Sequence, residues 1–180
     1  MFSRILSVPT VLVAIAIFAG ASSAFAQALD TGYNPNADAT VRDVHVLANG
    51  NMLVAGGFAT VDGHPTNGIA LLDSNGNAIT SFTSGLAAAD DVRAFAVDGS
   101  GNIVIVGEDG TNPFVKRLLG ATGGLDAAFN AVGGITGSVV NAVAIQANGA
   151  IVIGGAFSVV DSVAANNIAR LSGTGGDRDL

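Results

Sequence analysis

The sequence has no cysteine and no tryptophan, and only one tyrosine, two histidines and four prolines among 180 residues. Without cysteine, disulfides, thiol catalysis, zinc–thiolate sites and Cys-anchored lipids are excluded. Basic residues are scarce: seven Lys+Arg stand against 14 Asp+Glu, and the net charge of −7 argues against nucleic acid or an anionic membrane as partner. Charged residues make up 12% of the chain, against an ordinary share of about 25%. The few aromatics leave little for a sugar-stacking platform. The 25 glycines follow no G-X-Y period, which excludes collagen, and 49% hydrophobic residues is too many for a disordered tail. What is present is an apolar, glycine-rich chain of about one domain.

Arg4 is the only charge before Asp30. Ile5–Ala19 is almost wholly apolar, and small residues follow, ending in Ala24-Phe25-Ala26. A charged start, an apolar middle and an A-x-A exit are the order of a secretory signal peptide over residues 1–26. A membrane anchor is the competing reading, since the apolar run is nearly long enough to span. The decay into small residues at a cleavable motif favours the signal peptide. Cleavage leaves Gln27–Leu180, with no second run of the ~20 apolar residues that a spanning helix needs. The expected product is exported: secreted, periplasmic or on the cell surface.

The remainder repeats itself. Val41-Arg42-Asp43-Val44-His45-Val46, Val92-Arg93-Ala94-Phe95-Ala96-Val97 and Val140-Asn141-Ala142-Val143-Ala144-Ile145 begin 51 and 48 residues apart. Each leads through a turn to an apolar run: Met52–Gly57, Ile103–Gly107 and Ile151–Gly155. Asn67-Gly68-Ile69-Ala70-Leu71-Leu72 recurs as Asn166-Asn167-Ile168-Ala169-Arg170-Leu171, and more loosely as Phe114–Leu118. Ile79-Thr80-Ser81-Phe82 and Leu125-Asp126-Ala127-Ala128-Phe129 close the first two copies with an aromatic. The repeats span approximately 41–82, 92–129 and 140–180.

Within a copy the first segment alternates, as a half-buried strand does, and the second is continuously apolar, as a strand buried on both faces is. Asn49-Gly50 and Asn148-Gly149 predict two-residue type I′ hairpins, with positive φ at both residues. Four antiparallel strands per ~50 residues predict a propeller blade. The expected fold is all-β and β-propeller-like, with about three four-stranded antiparallel blades as a partial propeller or open arc.

Gly56-Gly57-Phe58-Ala59-Thr60-Val61-Asp62-Gly63 with Asn67-Gly68-Ile69-Ala70 resembles the delta-60 repeat of bacterial exported propeller-like proteins. Gly154–Asp161 with Asn167–Leu171 is a second match, and Leu125–Phe129 resembles the closing L-D-x-x-F of that repeat. The middle copy departs, with Gly107-Glu108-Asp109-Gly110 in place of G-G-x-F. The resemblance implies a propeller-like fold and export, with no catalytic motif to carry over. Leu29-Asp30-Thr31-Gly32-Tyr33 reads as an orphan closing strand, and the last copy stops before its own closing aromatic. Three blades fall short of the usual four to eight. Either the chain is cut short after Leu180, or chains assemble a ring, or the blades form an open arc. Self-association through blade faces, with exchange of Leu29–Tyr33, is the expected partner arrangement; an unknown protein or cell-surface partner is the other.

Reactive chemistry is sparse. His45 stands where other copies have Ala96 and Ala144, and reads as a tolerated strand histidine. His64 lies in a loop beside Asp62 and reads as solvated. No H-E-x-x-H, G-x-S-x-G or phosphate-loop pattern occurs, and Gly133-Gly134 and Gly154-Gly155 lack the helix of a phosphate cradle. Asp73-Ser74-Asn75-Gly76-Asn77 and Asp98-Gly99-Ser100-Gly101-Asn102 could offer oxygens to Ca²⁺, but lack EF-hand spacing and read as self-bonded turns. Asp90-Asp91 reads as a solvated loop pair, and Phe58 and Phe157 as blade packing. No catalytic, cofactor-binding or metal residue is assigned, and no cofactor. The expected role is a non-catalytic interaction or structural module, alone or as part of a larger surface protein. The alternative is a ligand-binding or enzymatic propeller with a site in the central channel; it needs charged or His residues pointing inward from several copies, and the first strands supply only Arg42, Asp43 and His45.

Overall fold

The computed structural model describes residues 30–129, 134–177 and 179. The expected signal peptide, residues 1–26, lies outside the described residues. All strands fall within the compact unit Thr31–Leu180, and none of the described residues is helical.

Among the described residues twelve strands follow in order: β1 (Val41–Val46), β2 (Met52–Gly56), β3 (Thr60–Val61), β4 (His64–Pro65), β5 (Ile69–Leu72), β6 (Asp91–Val97), β7 (Ile103–Glu108), β8 (Pro113–Leu118), β9 (Ile135–Ile145), β10 (Ile151–Val160), β11 (Val163–Ala164) and β12 (Ile168–Leu171). Blade 1 is the antiparallel sheet β1-β2-β5, blade 2 is β6-β7-β8, and blade 3 is built on β10, with β9 along one edge and β12 and β11 along the other. β3 and β4 form a small hairpin off blade 1. The chain is all-β, with three antiparallel blades of a partial propeller.

The central strands run as the apolar segments predict. β7 is buried over Ile103–Gly107 and β2 over Leu53–Gly56, while β10 buries Ile151, Ile153, Phe157 and Val160 and leaves Val152 and Gly154 half-buried. Gly56, Gly107 and Gly155 hold one repeated position, where a Cβ would sit on the carbonyl oxygen of Thr40, Asp91 and Val139 respectively. Only glycine permits the bulged first strand to lie so close to its neighbour.

Two expectations are corrected. The turns after β1 and β9 are not two-residue type I′ hairpins: Gly50 and Gly149 have φ +85°, but Asn49 and Asn148 are not at positive φ. Leu47 N–H donates to Asn51 O and Gln146 N–H to Ala150 O, so the loops are longer, with glycine alone in the left-handed region. Each asparagine instead turns its side-chain oxygen onto an N–H two residues on.

The closing segments are also shorter than a fourth strand. Blade 1 makes a single bridge, Leu72 to Ala78, and blade 2 a single bridge, Leu118 to Leu125. A turn follows at once, with Phe82 N–H donating to Ile79 O and Phe129 N–H to Asp126 O. The turn carries each phenylalanine off the sheet edge and into the seam with the next blade. Phe82 joins Leu53, Ile69, Phe95 and Ile105 between blades 1 and 2, and Phe129 joins Val104, Val115, Ile153 and Phe157 between blades 2 and 3. Of residues 29–33, Leu29 lies outside the described residues, and Thr31-Gly32 form the same two-residue turn instead of a strand. Tyr33 rests on blade 1, with its hydroxyl 3.2 Å from Met52 Sδ.

Candidate functional site

The polar residues of β1 would have to converge if the blades enclosed a reactive channel. They cross the seam to blade 2 instead. Asp43 and His45 pair with Ala55 and Leu53, which places them on the sheet face that blade 2 covers. Asp43 Oδ2 accepts the Phe95 N–H at 3.0 Å, and the His45 ring meets the Phe95 ring edge-on, with centroids 6.4 Å apart. Arg42 grips Asp91 with two bonds, Nε to Oδ1 at 2.8 Å and Nη2 to Oδ2 at 2.7 Å. This bond pulls the Asp91 carboxyl below the usual carboxylate range and raises Arg42 above its ordinary value. Arg93 adds bonds to Glu108 and Asp91 on the same patch.

Asp90-Asp91 is therefore not a solvated loop pair. Asp90 is buried, receiving Lys116 Nζ at 2.8 Å and the Ala87 N–H at 3.1 Å, while Asp91 opens β6. Its partners come from its own blade and from the linker before it, and a carboxylate so buried calls for a basic partner. Lys116 also stands 4.3 Å above the Phe114 ring.

The second seam has its own tie. Arg117 in β8 pairs with Asp126 at 2.7 Å, stacks 4.6 Å above Phe129, and reaches blade 3 by donating to Gly173 O at 2.6 Å. Asp126 accepts the Ala128 N–H, which with Arg117 holds its carboxyl low. Lys116, Arg117 and Asp126 were not singled out from sequence; the recurrent L-D-x-x-F was the signal that could have found Asp126.

The remaining candidates are local. Asp73 Oδ1 accepts the N–H groups of Asn75 and Asn77, and Oδ2 accepts Asn77 Nδ2; Asp98 repeats this with Ser100 and Asn102. Both carboxylates are engaged within their own turns, and bonds from Asn77 hold the Asp73 carboxyl low. Among the described residues no three His, Cys, Asp or Glu side chains gather as metal ligands. His64 is exposed on β4, and Asp62 Oδ2 accepts the Ala78 N–H. Gly154-Gly155 lies within β10, and Gly133 lies outside the described residues. Phe58 and Phe157 are buried in blade clusters.

A polar cleft of about 810 Å³ lies between the turn ends of blades 2 and 3, lined by Asp98, Asn102, Gln146, Asn148 and Thr174. Its cation, Arg117, is committed to Asp126 and Gly173. No helix among the described residues is long and apolar enough to cross a membrane.

Blades joined face to face by charged ties and aromatic plugs define a β-propeller-like repeat protein. Two segments, residues 47–82 and 146–179, match the model of a β-propeller domain of unknown function, DUF5122, which supports a β-propeller repeat family. No curated protein and no solved structure matches the chain.

Proposed function

We propose that this is an exported, non-catalytic β-propeller-repeat protein of the delta-60 type, acting as an interaction or structural module in the periplasm, at the cell surface or outside the cell, alone or within a larger surface protein. One observation carries the reading. The polar side chains Arg42, Asp43, Asp91, Arg117 and Asp126 are used at the seams between blades, and Asp90 with Lys116 is used within blade 2. Joining is what a scaffold requires, whereas catalysis requires a group held ready for substrate. The sequence order of residues 1–26 supports export.

Two measurements test it. The N-terminus of the released protein is expected at Gln27 or within a residue or two; chain retaining Met1–Ala26 in a membrane fraction overturns export. Turnover of a hydrolysable substrate panel that disappears in Asp98→Asn overturns the non-catalytic role. The cleft between blades 2 and 3 favours ligand binding as a second reading, which predicts saturable binding of a small polar molecule, lost on Asn148→Ala.

A further inference from the structure

The blades repeat their residues, yet equivalent residues differ in what covers them. Val92 and Val140 are 0% exposed, while Val41 at the same repeat position is 41% exposed. Phe95 is 8% exposed and its counterpart Val44 is 55%. On the opposite face, Ile69 in β5 is 1% exposed and its counterpart Ile168 in β12 is 65%. All are apolar, so the difference is the neighbour. Blade 1 covers the first face of blade 2, and blade 2 covers that of blade 3. On the first face of blade 1 the β1 residues Val41, Val44 and Val46 stay exposed, although Val54, Ala70 and Leu72 on the same face are buried against Phe58, Val61 and Ala37, and the last face of blade 3 stays open.

We infer that a second copy of this chain covers them: the last face of blade 3 in one copy (Ala142, Ala144, Val152, Ile168) receives the first face of blade 1 in the next (Val41, Val44, Val46). The inference does not depend on export or on the lack of catalysis. The two internal seams already show what such a face accepts, namely the first-strand face of another blade, and each chain carries one of these with its β1 residues exposed. Such a contact joins different patches of the two copies and builds a ring or a filament.

Two further features fit the same occupant. Arg170 in β12 is the counterpart of Arg117. It pairs with Asp179 at 2.8 Å as Arg117 pairs with Asp126, and each aspartate N–H donates to the carbonyl of its arginine. Arg117 goes on to donate to Gly173 O in the turn of the following blade. Arg170 is 48% exposed at its side chain, and the matching turn of blade 1 presents exposed Ser74 and Asn75. A docked copy brings those carbonyls to Arg170.

Tyr33 is the second feature. Phe82, the plug of the first seam, lies 3.0 Å from where a Cβ on Gly123 would be, in the turn of blade 2. Tyr33 lies 2.9 Å from the same point on Gly76, in the turn of blade 1. It is an aromatic plug in place, with one wall of its seam present, and blade 3 of another copy supplies the other wall. Exchange of Leu29–Tyr33 as a strand is not needed, because Asp179 already fills beside Arg170 the place that Asp126 fills beside Arg117. Asn167 stands where blade 1 has Gly68, so at that edge the partner meets a longer side chain than in the internal seam.

The test is sedimentation of the full chain, expressed from Met1, over a range of concentrations. Mass above the monomer, rising with concentration, is expected. Ala144→Glu and Val46→Glu, on opposite faces, should each weaken association about a hundredfold or more by burying an unpaired carboxylate, with unchanged circular dichroism. Arg170→Ala should weaken it less. An equimolar mixture of Ala144→Glu and Val46→Glu retains one intact face of each kind and should yield dimers and nothing larger. A wild-type monomer at every concentration, association indifferent to both substitutions, or association lost on Val46→Glu alone, as for a face meeting itself, overturns the inference.

Discussion

Arg42 and Asp91 are separated by 49 residues, and only the seam brings them together. The bond from Arg42 lowers the Asp91 carboxyl in the folded chain, so the pair's contribution is present above the unfolded carboxylate value of about 4 and is lost as pH falls through the lower folded one. Asp91→Asn should therefore lower the melting temperature at pH 7 and flatten its decline below about pH 4; parallel acid declines in both proteins would contradict this. Gly107 makes a steric test at the same scale. A Cβ there would collide with Asp91 O and lie 3.1 Å from the Phe114 ring, whereas Gly99 has nothing within 4 Å. Gly107→Ala is expected to cost about 2 kcal/mol or more in denaturant unfolding, and Gly99→Ala less than about 0.5 kcal/mol. The recurrence of Gly56, Gly107 and Gly155 was visible in the sequence, but the carbonyl that each one accommodates was not.

At the scale of elements, the closing segments tie one blade to the next. A fourth strand was expected because Ile79–Phe82 and Leu125–Phe129 recur with apolar ends. The turn at Thr80-Ser81 and the Asp126 carboxylate accepting the Ala128 N–H stop the ladder after one bridge. Each phenylalanine is thereby freed to enter a seam, where Phe82 and Phe129 are both 5% exposed. Phe82→Ala and Phe129→Ala should each destabilise by about 3–5 kcal/mol, as buried aromatic truncations do. Tyr33→Ala, at a half-buried plug, should cost clearly less in the monomer. Equal costs for all three, measured by chemical denaturation, would show that the seams do not depend on these plugs. The hairpin turns teach the same lesson on a smaller scale. Asn-Gly announced a turn at the right place, but the asparagine side chain, bonded to the backbone two residues on, selected a longer loop.

Across the whole molecule, stability in a repeat array is roughly the sum of the units and their contacts with neighbours. Blade 2 has a neighbour on both faces, and blades 1 and 3 have one each. Amide exchange should therefore be slowest in β7, intermediate in β2 and β10, and fastest in β1, whose residues are mostly exposed. Exchange in β1 as slow as in β7, in dilute monomer, would show that the exposed residues of β1 are covered from within the chain.

The all-β class, the three repeats, their central strands and the aromatic ends of two copies were determined by the sequence itself. Periodicity and turn residues act over a few positions, and the same chemistry returning every ~50 residues leaves little choice of element. The tertiary structure decided how the polar residues are used. Arg42, Asp43 and His45 were the few residues that the channel alternative had to offer, and Asp90-Asp91 had read as a solvated pair, yet all five serve the blades: four at the seam and Asp90 beside Lys116. The partner of a charge and the cover of an apolar face depend on which blade stacks on which. Stacking is set by contacts between residues about fifty positions apart, and local sequence does not encode those contacts.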